Sequence, residues 1–286
     1  MKTQLEGFFT GPQGPGSVES GAATGKLVGL VAPHIDLQRG GQCFGWSYAE
    51  LARESRATTY VILGIAHTET QKCYALTTKD FETPLGTLPA DKEFIAELAA
   101  SCSHDFFIDE FLHRSEHSIE FQALFLKQLY CDRNDIRIVP VLCATPSRIL
   151  LGQSSYRDSE EVNEFAAALK KLIDDRGENV CCIAGVDLSH VGRRFGQDIA
   201  LSGSFIKQVE ADDRSLLQHV IDRDADAFLE TIERDNNRNN VCGVPAIYTL
   251  LRVLQPKSAK LLKYDQAVDE ETQSLVSFAG AAFYRS

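Results

Sequence analysis

Histidine and cysteine are the side chains best able to bind a metal or move a proton near neutral pH. Several stand at informative places in this sequence. The apolar run LVGLVA (27–32) leads into Pro33-His34-Ile35-Asp36. TTYVILGI (58–65) is followed by Ala66 and then His67-Thr68-Glu69. NVCCIAGVDL (179–188) carries Asp187 and continues into Ser189-His190. Each run reads as a buried strand, and open parallel sheets bind ligands just outside the C-terminal ends of their strands. His34, His67, Asp187 and His190 are therefore expected to meet in one crevice, as metal ligands or acid–base groups. Taken singly, each histidine reads as a loop residue satisfied by a backbone carbonyl; the shared placement favours a site.

Cys242 lies in NNRNNVCGVPAIYTLL, where a polar loop gives way to a helix near Gly243 to Pro245. Proline suits a first helical turn, and a thiol at that end feels the helix dipole, which favours thiolate. Thiolate binds metals or attacks electrophiles; the competing reading is an inert buried cysteine. With two imidazoles nearby, a His2Cys set suits zinc, copper or iron. The string His113-Arg114-Ser115-Glu116-His117-Ser118-Ile119-Glu120 fits H-x-x-E-H, a zinc-protease pattern that needs an unbroken helix and a third ligand. Ser115 and Glu116 look instead like helix-start residues, which leaves His113 in the preceding loop and aims His117 toward the site. Glu116 and Glu120 are read as helix-end electrostatics. Arg39-Gly40-Gly41 follows His34 closely. There the glycines permit a tight backbone path, and Arg39 either holds an anionic group or pairs with Asp36 at the surface. His104 and His219 read as surface residues without partners.

The elements that must position these groups alternate. A helix is expected over 43–54, a strand over 73–78, helices over 91–102 and 116–130, and a strand over 136–142. Helices follow over 160–175, across 200–233 and over 244–254, and two strands (259–267, 274–284) close the chain. Alternating apolar strands and helices imply an α/β fold with a mostly parallel sheet covered on both faces, and an antiparallel edge at the end. Gly11 to Gly25 is rich in Gly, Ser and Pro, so residues 1–25 read as a flexible lead-in and 26–286 as one α/β domain.

The 286 residues carry a formal net charge of -11, which disfavours nucleic-acid backbones. No apolar run has the length of a membrane helix or a signal peptide. The eight cysteines are scattered and include no CxxC pair, which fits a reducing compartment and no zinc ribbon. The expectation is a soluble cytoplasmic protein with no nucleic acid and no membrane among its partners.

APHIDLQRGG around His34, VILGIAH ending at His67, EHSIEFQ around His117, VDLSH ending at His190 and VCGVPAI around Cys242 appear in the order found in Memo-like proteins. The sequence from about residue 27 onward resembles that family, of the AmmeMemoRadiSam system protein B type. The resemblance implies a fold like that of class III extradiol ring-cleavage dioxygenases, with the site at one end of a central sheet. It also implies that His34, His67 and Cys242 are metal ligands, and that Asp187, His190 and His117 line the same pocket as catalytic groups. Where the dioxygenases hold Fe(II) with two histidines and a carboxylate, a cysteine stands here, and a softer thiolate changes redox potential and metal preference. The implied function is a metal-dependent redox enzyme using Fe(II), with copper or zinc as alternatives. His190 or His117 would be the general base, with Asp187 orienting His190 or a water. Arg39 and Asp36 would contact an unknown small molecule or peptide substrate. The alternatives are a non-catalytic peptide- or partner-binding module and a zinc hydrolase. Radical-SAM and AMMECR-type proteins are the partners the resemblance implies.

Overall fold

The computed structural model describes residues 1–18 and 24–285. In chain order its elements are α1 (Lys2–Thr10), β1 (Leu27–Ala32), α2 (Leu37–Glu54), β2 (Thr59–Ile65), β3 (Tyr74–Leu76), β4 (Phe81–Thr83), β5 (Gly86–Leu88) and α3 (Lys92–Ala100). Then come α4 (Ser118–Leu129), β6 (Arg137–Cys143), α5 (Ser147–Leu150), α6 (Glu160–Arg176), β7 (Val180–Gly185) and β8 (His190–Gly192). The chain closes with α7 (Gly203–Asp222), α8 (Ala225–Arg234), α9 (Val244–Val253), β9 (Ser258–Asp269) and β10 (Ser274–Tyr284).

The result is a single α/β domain with a mixed central sheet, mostly parallel at its heart and flanked by helices. Strand order is β3-β6-β2-β7-β1-β10-β8, with β9 paired along β10. The four middle strands β6, β2, β7 and β1 are parallel. Every residue of β2 and β7 is buried, as expected of strands with neighbours on both sides and helices on both faces. Those faces form two large apolar clusters, one under α3, α6 and α9 and the other under α1, α2 and α4. The expected antiparallel terminal pair is present: β10 runs antiparallel to both β1 and β9.

This order decides where the chemistry falls. β7 lies between β2 and β1, with Ala32 in register with Gly185 and Leu63 with Ala184. The segments leaving these three strands therefore emerge side by side at one end. α4 crosses that end unusually closely. A Cβ on Gly185 would stand 2.7 Å from the Gln122 amide nitrogen and 2.8 Å from the Ser118 carbonyl, so only glycine admits the helix here. Gln122 holds the crossing by donating to Pro33 O (2.8 Å) while its own oxygen accepts from the Tyr48 hydroxyl (2.8 Å). The start of α4 is thereby fixed above the ends of β1, β2 and β7.

Two expectations change. The lead-in is not wholly irregular: Lys2–Thr10 is helical and buries Leu5 and Phe9 in the core beside α2 and α4. A spacing of four residues puts both side chains on one face. The segment expected as a lead-in also covers residues 19–23, which lie outside the described residues. Gly40 and Gly41 do not form a tight loop either, because α2 starts at Leu37 and includes both. The missing Cβ at Gly41 makes room for the Phe8 ring, which would otherwise lie 2.2 Å away. Among the described residues, no helix is long and apolar enough to cross a membrane.

Candidate metal centre

His34 follows β1 and is buried, 2% exposed. Its ring Nδ1 lies 2.9 Å from the Gly185 carbonyl at the end of β7. A carbonyl can only accept, so Nδ1 carries the proton and Nε2 keeps a free lone pair. That Nε2 lies 3.4 Å from Cys242 Sγ and 3.6 Å from Asp187 Oδ2. The other oxygen of Asp187, Oδ1, accepts from the backbone N–H groups of His34 (3.0 Å) and Ile35 (3.2 Å). The carboxylate thus ties the exit of β1 to the exit of β7.

His67 follows β2 and is more open, its side chain 37% exposed. Its backbone N–H donates to Glu116 Oε1 (2.7 Å), and its Nδ1 lies 2.8 Å from Glu116 Oε2. Glu116 is itself buried. The reading of Glu116 as helix-end electrostatics is corrected here, because the carboxylate turns back under the β2 exit rather than facing the start of α4. The clue available in the sequence is its place beside His117. Glu120 stays exposed in the first turn of α4, as its reading requires.

His117 stands at the N-cap position of α4, without a side-chain capping bond, and completes a cluster of three imidazoles. Ring centroids are 5.0 Å apart for His34 and His67, 5.4 Å for His34 and His117, and 5.1 Å for His67 and His117. His190 begins β8, with Nδ1 3.0 Å from Leu188 O and the ring edge-on to Phe195. The segment bearing Asp187 and His190 is braced from below: Ser189 Oγ donates to Asp213 Oδ1 (2.6 Å), and Tyr264 donates to Oδ2 (2.8 Å). No sequence signal marks Asp213, since it resembles any other acid on α7.

Cys242 lies just before α9, where Gly243 N–H donates to Asp187 O. The expectation of a dipole-stabilised thiolate changes here. Burial, reinforced by the Asp187 carboxylate, pushes the thiol well up, and Sγ lies 3.5 Å from Asp187 O as a donor. Burial also lowers His34, further lowered by His67. It lowers His117, with His67 adding to it, and lowers His190 against the opposing pull of Asp187. Burial raises the Asp187 carboxyl to about 6. Neutral imidazoles are the ligand form, and a thiol that loses its proton only to a cation gives metal binding that releases protons.

One donor atom each from His34, His67 and Cys242 lies within 4.8 Å of the others. Ligands at about 2.0–2.3 Å around a tetrahedral ion stand roughly 3.3–3.8 Å apart, so the 3.4 Å between Sγ and Nε2 matches. In both rings the other nitrogen is already engaged by an oxygen, as is usual for metal-binding histidines. The donor set fits one d-block ion. A cleft of about 320 Å³ opens beside it, lined by His67, Thr68, Glu69, Thr145, Ser147 and Cys242 among others.

The remaining candidates lie elsewhere. Asp36 caps α2, accepting from Gln38 and Arg39 N–H. Arg39 reaches Asp36 (3.4 Å) and Asp269 (3.7 Å) from an exposed position. His113 sits in a separate short turn (Glu110–Arg114) with Nε2 on Ala75 O, so the H-x-x-E-H string does not lie on one helix. His104 is paired, with Nδ1 2.8 Å from Glu164.

A domain with two histidines and a cysteine meeting at the exits of parallel strands is a candidate metalloprotein. The model of the Memo-like protein family matches residues 1–282, and the chain belongs to that family. It is 30% identical over 262 residues to a MEMO1 family protein of Aquifex aeolicus, covering 91% of this chain and 64% of that protein. The chain thus spans less than two thirds of that relative's length. It is 28% identical over 294 residues to one from Methanopyrus kandleri, covering 100% of this chain and 93% of that protein. It is 29% identical over 259 residues to one from Methanosarcina barkeri, covering 89% and 85%.

Proposed function

We propose that this protein is a metal-dependent redox protein, with Fe(II) as the first expectation for its metal and copper or zinc as alternatives. The supporting observation is the convergence of His34, His67 and Cys242, with both Nδ1 atoms already held by oxygen acceptors. A redox-active ion in such a set, with positions left open, supplies oxygen activation or electron transfer. The class III extradiol dioxygenase-like architecture expected from the sequence belongs to the same proposal.

The chain's own residues divide the remaining work. His34 forms the buried floor, Cys242 is half-buried beside it, and both His67 and Cys242 line the cleft. His117 stacks on His67 (13° between ring planes), and partial burial together with His67 lowers its pKa. It is thus suited to accept a proton from a substrate hydroxyl. His190 donates from Nδ1 to Leu188 O, which leaves Nε2 as its acceptor. Asp187, raised to about 6 by burial, sets the position of His34 by accepting from its backbone N–H.

The test is metal analysis with EPR on anaerobically purified wild type and Cys242→Ala. Stoichiometric redox-active metal, with a spectrum altered or lost in the variant, is the expected result. Stoichiometric zinc alone would move the reading to hydrolysis, where bound water of pKa about 7 is the nucleophile. Tight peptide binding that survives His67→Ala and Cys242→Ala would favour the binding module.

A further inference from the structure

We infer that Glu116 is a positioning residue that locks the tautomer of His67, and so decides whether that imidazole can act as a ligand. The inference takes the metal reading as its setting, but its central measurement needs no metal.

A backbone N–H can only donate, and that of His67 sits on Glu116 Oε1 at 2.7 Å. The second oxygen, Oε2, lies 2.8 Å from ring Nδ1. A carboxylate accepts at both oxygens, so the ring proton resides on Nδ1 and the free lone pair on Nε2. Among the described residues His67 is the one ion-pair partner of Glu116, which is 5% exposed. Burying a carboxylate is costly unless it is paired and hydrogen-bonded, and the bonds this one makes go to a single residue. The same proton placement is achieved at His34 by the Gly185 carbonyl. One ligand is thus locked by backbone, and the other by a side chain that can be changed.

Glutamine has nearly the same shape but one oxygen and one NH2. If its oxygen takes the His67 N–H, the NH2 faces Nδ1, which must then accept, and the ring proton moves to Nε2. If the amide turns round, two donors face each other at the backbone. That turned amide keeps a proton on Nδ1 only at the cost of two opposed donors, so the first orientation, with the ring proton on Nε2, is favoured. Aspartate, one methylene shorter, does not span both contacts from the same backbone position.

The experiment uses the whole chain, 15N-labelled and metal-free, and long-range 1H–15N correlation of histidine rings. Wild type is expected to show His67 with the proton on Nδ1, and Glu116→Gln to show it on Nε2, with His34 unchanged in both. Co(II), whose thiolate charge-transfer band reports Cys242, is then titrated in as the probe. Affinity is expected to fall roughly 10–100-fold in Glu116→Gln, the usual effect of losing the group that orients a ligand. Should Glu116→Gln fail to fold, Glu116→Ala is the second variant, with His67 expected to populate both tautomers. An Nε2–H tautomer in wild type, or the same tautomer in wild type and variant, overturns the inference. A tautomer switch in a protein whose wild type binds no Co(II) upholds the lock and defeats the metal reading.

Discussion

The two histidines of the candidate centre are held in different ways. His34 is buried, locked by the backbone of β7 and braced by Asp187 from the same strand exit. His67 is more than a third exposed, faces the cleft and is locked by a side chain from the start of α4. The first arrangement is part of the core, and disturbing it disturbs the sheet. The second is a partly exposed side chain at the edge of solvent. Under the proposed metal reading, a rigid anchor beside an accessible arm would let an ion keep its place while one side stays open.

The strongest way to break this comparison is to remove each ring in turn. His34→Ala is expected to abolish stoichiometric metal binding and to cost roughly 2–4 kcal/mol of stability, as large-to-small changes at buried sites do. His67→Ala is expected to weaken metal binding as severely but to cost less, about 1–2 kcal/mol, because the ring is more than a third exposed and the main loss is one partner of the Glu116 carboxylate. Urea denaturation of the metal-free variants reads the difference; equal losses would mean that the two sides are not distinct.

Next comes the acid behind the anchor. Burial raises Asp187 to about 6, above an unfolded value near 3.9. The folded state therefore binds that proton more tightly, and the stabilisation it provides is complete below about pH 4 and lost as pH rises through about 6. On the order of 2–3 kcal/mol is involved. The metal-free wild type should lose stability relative to Asp187→Asn across that window. Parallel pH profiles for the two proteins would refute the assignment.

A smaller effect tests the crossing that seats α4. Gly185→Ala places a methyl group against Gln122 and the Ser118 carbonyl, and overpacking of this kind costs about 1–3 kcal/mol. Because the start of α4 also carries Glu116 and His117, Co(II) affinity should fall along with stability; unchanged affinity would separate the crossing from the site. The smallest effect belongs to Arg39. It makes only exposed ion pairs with Asp36 and Asp269, so Arg39→Ala should change stability by less than about 0.5 kcal/mol. A large loss of binding for an anionic probe would instead place Arg39 in substrate contact.

The strands and their exits are legible in the amino-acid order alone. Runs such as TYVILGI and VCCIAG are apolar throughout because both faces and both edges are covered, and burial of that kind is written locally. The polar residues that follow those runs, His34, His67 and Asp187, are therefore recognisable as neighbours without a structure. Which groups complete the site depends on contacts between distant segments. Cys242 meets His34 across 208 positions, Glu116 reaches His67 across 49, and Asp213 braces Ser189 from another helix. Helical periodicity gives a carboxylate near the start of a helix the same appearance whether it faces water or an imidazole. α1 is hidden in the sequence for a related reason: nine residues with two buried side chains carry little periodic signal, and the helix owes its place to the surface of α2 and α4 that it covers.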